Sequence, residues 1–402
     1  MKMKALTLAA LAALATPAMA QVTIYGKLDA GLLSISNTSG GTGYLPSAVN
    51  NGSSKQLKDG GIGASNWGLR GVEDLGGGLK AIFVLQGNLA LDTGASGGPN
   101  SGSTSSMWNQ TAMVGLIGSF GEIKLGRQVS PMYWAMASTD ARAGRYFGSS
   151  LTALVGLNSA SGNFVGDNSN PSFGTVYNDN AILWTSPVWS NVTVNLEYAL
   201  GETAGGMKAN SQQAATLVYD DKKLKLSALY YNGYGNNLPD ATLVYTKKLG
   251  DAAKAAAALT AAGLTPTTNT NRLVSLGALY NWGEFRAGAA WMQARNPSHV
   301  VVMPGGSDSL DMWDLSVGWT PMPQLDISAG YYRIKDKKNI GNSASQFALG
   351  AEYSLSKRTT LYAEGAMVTN KGANMNVSPV YATAVVAGKD VHALMAGIRH
   401  AF

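Results

Sequence analysis

The sequence predicts an all-β fold, a 16-stranded antiparallel transmembrane β-barrel. Three observations support this prediction. Segments of alternating apolar and polar residues recur about every twenty residues, as membrane-crossing strands do. The connections between the segments alternate between short and long, and aromatic residues stand beside the short ones. Together these features indicate an up-and-down barrel with tight turns on one side of a membrane and long loops on the other.

The connections distinguish a barrel from a soluble sandwich, whose strands also alternate because each buries one face. Clear alternation occurs over residues 192–198, 313–319, 325–331 and 347–353. The short connections are Asp74–Gly78, Gly118–Gly121, Asp220–Lys223, Asn281–Gly283, Thr320–Gln324 and Leu355–Arg358. The long ones include Ser34–Ala64, Gly87–Met107, Asn296–Ser309 and Asn370–Asp390.

The number of strands follows from parity. The pattern alone gives seventeen segments, but bacterial single-chain barrels have even counts. The segment at 240–248 would put a long loop on the side of the short turns, so we assign it to one loop at about 233–270, with a short helix at 251–263. Sixteen strands remain, and a barrel of that size encloses an aqueous channel.

The final segment, Val391–Phe402, alternates as a strand and ends on an aromatic residue. In a closed barrel its partner is the first strand, Val22–Ser34. His400 falls on the lipid side, which is tolerable only near the membrane interface, so we place this end of the strand at the periplasmic rim.

The N-terminus indicates export. Lys2 and Lys4 precede an apolar segment too short to span a bilayer, and Ala18-Met19-Ala20 resembles a cleavage site. We therefore expect residues 1–20 to be a cleaved signal peptide and residues 21–402 to form a single barrel domain. The alternative is a retained anchor, which the short core disfavours.

Composition narrows the function. The chain has no cysteine, which excludes thiol catalysis and disulfides. Its net charge of +6, or +4 without Lys2 and Lys4, is too dilute for a nucleic-acid partner. A barrel enzyme would need a nucleophile beside a base, yet His299, His392 and His400 are scattered, and we expect no cofactor or metal site. A surface adhesin remains open, and conductance in a planar bilayer would distinguish it from a channel.

Four stretches resemble the general porins of Gram-negative outer membranes, in their betaproteobacterial form. They are QVTIYGKLDAGL at 21–32, GLRGVEDLGGGLKAIFVLQ at 68–86, GLIGSFGEIKLGRQ at 115–128 and the terminal GIRHAF. Their order and spacing also match that family. The resemblance implies an outer-membrane homotrimer through which small hydrophilic solutes and inorganic ions diffuse passively. It also implies a third extracellular loop folded inward as a constriction, contact with lipopolysaccharide, and a role for Phe402 as a signal to the barrel-assembly machinery.

The constriction loop is expected at about 130–177, the longest connection by this count. Its charged residues Asp140, Arg142 and Arg145 are candidates for the pore constriction, where charge and width set selectivity. Lys27 and Arg70 are candidates on the opposite wall, because alternation turns both toward the lumen. For each basic residue the alternative is a solvated charge without a selectivity role.

Arg127 is ambiguous, since strict alternation places it with Ile123 and Leu125 on the lipid side. A bulge at Gly126 would turn it inward, and an arginine facing lipid at the midplane costs about 2–4 kcal/mol. The arginine of the GRQ motif in the similar family lines the pore, which favours the lumen.

Two departures from that family bear on selectivity. Asn66 stands where the family has an arginine, and the loop carries two arginines against one aspartate instead of an excess of acid. The resulting hypothesis is a net positive constriction that prefers anions.

Overall fold

The computed structural model describes most of the chain after residue 20. The described residues are 21–39, 49–96, 107–154, 176–209, 211–234, 254, 257, 261, 270–295, 297, 309–373, 375–381 and 383–402. The expected signal peptide (1–20) and the reassigned segment 240–248 lie outside them. Within the expected helix at 251–263, the three described residues are helical.

The described chain is built mainly from β-strands; the described part of the loop after β6 adds a short helix and a further helical stretch at residues 150–154. The strands are β1 (Gln21–Ile35), β2 (Ser54–Asp59), β3 (Asn66–Gly76), β4 (Leu79–Asn88), β5 (Thr111–Gly118), β6 (Gly121–Val129), β7 (Tyr177–Thr185), β8 (Val192–Ala199), β9 (Gln212–Asp220), β10 (Leu224–Tyr234), β11 (Thr270–Trp282), β12 (Phe285–Arg295), β13 (Ser309–Met322), β14 (Leu325–Asp336), β15 (Ser343–Ser354), β16 (Thr359–Lys371) and β17 (Val391–Ala401), and the helix is α1 (Pro131–Ala137).

The strands form one closed antiparallel barrel. From β3 to β17 each strand pairs with the next in sequence, and β17 pairs with β1 from Lys27↔Ala401 to Ile35↔Ala393. Both β2 and β3 pair with β1, the first along its C-terminal half and the second along its N-terminal half. β2 and β3 therefore share one strand position beside β1, and the barrel has sixteen strand positions in all. The predicted strand number and the closing pair are confirmed; the short strand β2 was not predicted.

Tight turns lie at one end of the barrel and long connections at the other. The gaps β3–β4, β5–β6, β9–β10, β11–β12, β13–β14 and β15–β16 contain at most four residues. In barrels of this kind the short turns are periplasmic, so the long connections are extracellular. The closing strand β17 ends at the turn side, and His400 is exposed there beside Thr359, the first residue of β16.

Apolar side chains cover the outside of the wall. Ile24 and Leu32 of β1 and Trp313 and Leu315 of β13 are exposed, while residues between them face inward. Among the described residues no helix is long and apolar enough to cross a membrane. The buried apolar cluster lies inside the barrel, where extracellular segments fold back against the wall.

Candidate pore constriction

The segment after β6 turns into the barrel at Ser130. The Ser130 hydroxyl accepts a hydrogen bond from Met132 N, which caps α1, and donates to Glu197 Oε1 of β8 at 3.2 Å. Pro131 occupies the first turn, where its missing N–H is not needed. Met132 and Met136 pack into the buried cluster, whereas the Trp134 side chain is 58% exposed and lines the lumen.

Two glycines of the wall make room for the residue that follows the helix. A Cβ at Gly277 of β11 would collide with the Thr139 side chain, and one at Gly288 of β12 with the Thr139 carbonyl oxygen. The loop therefore contacts the wall backbone directly at this point. The next residue, Asp140, is buried; its carboxylate accepts hydrogen bonds from Arg142 N, Ser150 N and the Tyr332 hydroxyl at 2.8–3.1 Å.

Arg142 lies in the interface between loop and wall, with no exposed surface. Its guanidinium donates to the carbonyl oxygens of Gly148, Phe147 and Ser328 at 2.7–3.0 Å. It also donates to Glu364 Oε2 of β16 at 2.5 Å. These contacts occupy a side chain that we expected to line the channel. That expectation is corrected for Arg142, and likewise for Asp140, because burial keeps both charged groups out of the lumen.

Arg145 lies at the edge of the same interface and lines the lumen. It donates to Ser328 Oγ at 2.5 Å and Asp326 Oδ2 at 3.1 Å, and forms an ion pair with Glu352. Burial opposes its charge, but Glu352, Glu364 and Asp326 together raise the pKa of Arg145. Acids of the wall thus neutralise the loop arginines. Arg142 and Arg145 therefore do not supply the excess positive charge that the sequence led us to expect at the constriction.

Tyr133, next to Trp134 on α1, donates its hydroxyl to the Gly144 carbonyl oxygen at 3.3 Å. Burial raises the pKa of this phenol to about 12. The group therefore stays protonated near neutral pH and keeps its donor role, which ties the helix to the turn at residues 141–144.

A second inward segment comes from the interruption between β2 and β3. The buried Asp29 carboxylate accepts hydrogen bonds from the backbone N–H groups of Gly61, Ile62 and Gly63 at 3.0–3.1 Å, and from the Tyr362 hydroxyl at 2.8 Å. Asp29 lies on β1 two residues after Lys27, so alternation turns it to the same, inward face. Its four bonds fix where residues 60–65 leave the wall and turn inward.

A third inward segment is residues 375–381 and 383–386 of the last extracellular connection. The Asn370 amide accepts from Val377 N at 3.0 Å and donates to the carbonyl oxygens of Val377 and Lys389 at 3.0–3.1 Å. Met375, Val377 and Val380 are then fully buried inside the barrel.

The three inward segments meet by backbone hydrogen bonds. Tyr146 N donates to Ile62 O at 3.2 Å, Tyr381 N donates to Tyr146 O at 2.8 Å, and Gly148 N donates to Pro379 O at 2.7 Å. The Tyr146 and Tyr381 rings contact each other with centroids 4.5 Å apart. We call this assembly of residues 60–65, 130–154, 375–381 and 383–386 the inner ring.

The inner ring borders a cavity of about 550 Å³ that opens to the lumen. Lys27 of β1 and Arg399 of β17 line it on the barrel wall. Arg70 lies next to it on β3, with its guanidinium 5.1 Å from the centroid of the Tyr25 ring. Lys27 and Arg70 are exposed, and neither has an ion-pair partner among the described residues.

Arg127 lies in a β-bulge, as anticipated. The β6–β7 register shifts between Gly126 and Gln128, and Gly126 has φ +118°. The guanidinium donates to Asn109 O at 2.7 Å and Asp179 Oδ1 at 2.5 Å, and packs 5.4 Å from the centroid of the Tyr177 ring. The Arg127 side chain is 12% exposed, so these contacts hold it against the ring of Tyr177, which lines the cavity.

Phe402 continues the β1–β17 pairing, because its N–H donates to Gly26 O at 3.0 Å. A Cβ at Gly26 would collide with the Phe402 ring. The glycine therefore lets the terminal ring lie flat against β1.

Sequence reasoning missed the wall acids Asp326, Glu352 and Glu364 as partners of the loop. Alternation placed Asp326 and Glu352 opposite the apolar face, which is the signal that could have found them. Glu364 also lies on the inward face of its strand, β16, and the absence of a side chain at Gly350 leaves space for its carboxylate.

Residues 7–373 match the family model described as Gram-negative porin. The chain belongs to this family. It is 28% identical to outer membrane porin protein 32 of Delftia acidovorans, with the whole of both chains covered. It is 26% identical to the major outer membrane protein P.IB of Neisseria gonorrhoeae, over 95% of this chain and 98% of that one. An anion-selective porin from Comamonas acidovorans has the same fold, with a TM-score of 0.71 and 24% identity over 95% of this chain and 100% of that one.

Membership and architecture together establish what the protein does. This porin is an outer-membrane channel for passive diffusion, and the family has no enzymatic activity. The sixteen-stranded wall provides the channel, and the prediction of a channel instead of a barrel enzyme is confirmed.

Proposed function

We propose that this porin prefers anions, and that Lys27 and Arg70 create the preference. Their exposure to the lumen without an acid partner in the described chain carries the proposal. A partly dehydrated ion in a narrow, low-dielectric passage feels such charges strongly. Arg399 adds to them, since its nearest acid, Glu352, is 3.8 Å away and already pairs with Arg145. The Comamonas acidovorans porin is described as anion-selective, in line with this proposal.

The test is the reversal potential of the purified protein in a planar bilayer under a potassium chloride gradient. We expect the native protein to give a reversal potential whose sign indicates a preference for chloride over potassium. Lys27→Gln with Arg70→Gln should move the potential toward equal permeability. Lys357→Gln, in the β15–β16 turn, is the control. A cation preference in the native channel, or an unchanged potential in the double variant, refutes the proposal; absence of conductance would favour an adhesin.

The proposal includes a homotrimer in which each chain forms one channel. A Vibrio cholerae outer-membrane protein with the same fold is described in a trimer form. We expect the conductance of one inserted particle to fall in three equal steps as its channels close. Native mass spectrometry should give three times the mass of one chain. A single-sized step with a monomer mass would contradict them.

Phe402 is proposed as part of the signal read by the barrel-assembly machinery. Its ring is 45% exposed on the outside of the barrel, so it is accessible to a partner. Phe402→Ala should lower the amount inserted in cells while leaving refolding of the purified chain in detergent unchanged. Equal loss in both settings would indicate a structural role instead.

A further inference from the structure

One buried carboxylate of the barrel wall lacks hydrogen bonds in the described part of the chain. Asp314, on the inward face of β13, is 2% exposed, and neither of its carboxylate oxygens has a hydrogen-bond partner among the described residues. Burying a charged group without a partner is costly, so buried carboxylates are normally paired, hydrogen-bonded or bound to a metal ion. The side chain of Asp314 therefore points to a positively charged ligand.

Asp314 lies near a second buried carboxylate, that of Asp140 in the loop after β6. The negative charge of Asp140 acts on Asp314, and the Ser316 hydroxyl interacts with Asp314 as well. Tyr332 of β14 stands opposite Asp314 in the strand register and donates its hydroxyl to the Asp140 carboxylate at 3.0–3.1 Å. Two like charges close together in a buried place repel each other, so a cation shared by both carboxylates would stabilise them.

Two glycines of the wall form a recess around Ser316. Gly288 of β12 and Gly330 of β14 are the register neighbours of Ser316 on β13. A Cβ at Gly288 would collide with the Thr139 carbonyl oxygen and would lie 2.8 Å from Ser316 Oγ. A Cβ at Gly330 would collide with the Tyr332 hydroxyl. Oxygen atoms of the loop and of the wall therefore converge where the two outer strands carry no side chains, and we call this space the oxygen recess.

The charges between loop and wall leave the two aspartates unbalanced. Three arginines each form an ion pair with an acid of the wall: Arg142 with Glu364, Arg145 with Glu352, and Arg286 with Asp326. Asp140 and Asp314 form no ion pair with any residue that the structure describes. Two negative charges remain, and one divalent cation would balance them.

The donor atoms of the oxygen recess suit calcium. In the described ranges no group of three or more histidine, cysteine, aspartate or glutamate side chains could hold a metal ion. A site here therefore consists of two carboxylates completed by neutral oxygens. Ca²⁺ accepts such a set, because it binds carboxylate, carbonyl and water oxygens in flexible geometry, whereas Mg²⁺ demands a near-ideal octahedron.

We propose that the oxygen recess binds one calcium ion, held by the carboxylates of Asp314 and Asp140. The Thr139 carbonyl oxygen and Ser316 Oγ are its neutral ligands. Asp140 can take part because its three hydrogen-bond donors leave one of the roughly four acceptor positions of a carboxylate. The ion joins β13 to the point at which the loop touches the wall backbone.

From the sequence we expected no metal site, because that expectation considered the scattered histidines. The oxygen recess instead gathers its donors from a loop and from the wall, which alternation along a single strand does not reveal. The inference goes beyond the proposed anion preference and is independent of it, since Lys27 and Arg70 take no part in the recess.

The test is isothermal titration calorimetry of the refolded porin in detergent, stripped of divalent ions with EGTA and titrated with calcium chloride. We expect one calcium ion per chain. Asp314→Asn keeps the size of the side chain and removes its charge, so it should weaken binding by at least about tenfold. Ser316→Ala should weaken binding less. Asp311→Asn is the matched control, because Asp311 lies on the same strand and pairs with Lys337 Nζ at 3.0 Å.

Thermal unfolding of the same samples, in calcium and in EGTA, is the second measurement. An ion that binds only the folded state raises the midpoint of unfolding. Calcium should therefore raise the midpoint of the native protein and of Asp311→Asn, and leave that of Asp314→Asn unchanged. In EGTA, Asp314→Asn should be at least as stable as the native protein, because it removes a buried charge that has no partner.

Each outcome decides the proposal. Calcium binding and calcium-dependent stabilisation that are lost in Asp314→Asn and kept in Asp311→Asn support it. A native protein that binds no calcium overturns it, and Asp314 is then buried as a neutral acid. Equal binding by the native protein and Asp314→Asn also overturns it, since the ion then binds elsewhere. If Asp314→Asn forms no conducting channel, Ser316→Ala decides: weaker calcium binding supports the site and unchanged binding overturns it.

Discussion

The Arg142 guanidinium donates a 2.5 Å hydrogen bond to the Glu364 carboxylate, and neither side chain is exposed. The pair joins the loop after β6 to β16 inside the barrel. Arg145 repeats the arrangement with Asp326 and Glu352. The basic loop is therefore held by an acidic wall. Two sets of charges result, one that attaches the loop and one, Lys27 and Arg70, that faces the lumen.

Breaking the buried pair should destabilise the porin strongly. Arg142→Gln or Glu364→Gln alone leaves an uncompensated buried charge, so each is expected to lower the free energy of unfolding by about 3–5 kcal/mol. The double variant should lose less than the sum of the two. Denaturant unfolding followed by tryptophan fluorescence measures this, and additive losses would contradict direct pairing.

Removing the Arg145 charge should change selectivity as well as stability. Arg145→Gln leaves Glu352 facing the cavity, while Asp326 keeps its 2.6 Å bond from Arg286. The released negative charge should reduce the anion preference, measured as reversal potential. Arg145→Gln with Glu352→Gln should restore it. No shift in the single variant would mean that Glu352 does not influence permeating ions.

Trp134 should limit the size of the channel. Its side chain projects from α1 into the lumen, so Trp134→Ala is expected to raise single-channel conductance and change the free energy of unfolding by about 0.5 kcal/mol or less. Trp189→Ala is the matched control, because Trp189 is 52% exposed but lies in the β7–β8 turn. Equal conductance in the two variants would rule out this role.

The close approach of Thr139 to the wall should make Gly277 intolerant of a side chain. Gly277→Ala forces the loop away from β11, with an expected cost of about 1–3 kcal/mol and noisier current. Gly341→Ala is the control, since a Cβ there meets nothing within 4 Å. Equal effects of Gly277→Ala and Gly341→Ala on the free energy of unfolding and on current noise would contradict the contact between Thr139 and β11.

Asn370 should hold the last extracellular segment inside the barrel. Asn370→Leu removes two hydrogen bonds to Val377 of that segment and one to the Lys389 carbonyl oxygen, and the buried backbone groups left unpaired each cost about 1–3 kcal/mol. Increased conductance and faster proteolysis near residues 375–381 are expected. Unchanged protection from protease would show that apolar burial alone holds the segment.

The barrel itself was predictable because period-two alternation and turn spacing act locally along each strand. Parity then reduced the seventeen candidate segments to sixteen strands, and an even number allows the antiparallel closure of the first strand with the last. The interruption at 60–65 was not predictable, since it depends on Asp29 meeting the chain more than thirty residues later. A long polar connection gives no sign that part of it returns to the wall as β2.

The site was predicted less well than the fold. The loop arginines were identified, but alternation along the wall does not say which acid meets which arginine, as Arg142 and Glu364 show. Gly126 marked the bulge correctly, yet the side chain it redirects, Arg127, packs against the ring of Tyr177. Whether an inward side chain of the wall is buried depends on which loops fold into the barrel, and the alternation pattern of the strands does not specify this.

The inner ring is joined through the backbone, by the bonds of Tyr146, Gly148 and Tyr381. The path of the inner ring is therefore fixed by main-chain hydrogen bonds, whereas the charge of the cavity that it borders comes from side chains such as Lys27 of β1, which take no part in those bonds. Size exclusion and ion preference can consequently change independently, so we expect a substitution at Lys27 to change which ions pass without changing the size of the largest solute that passes.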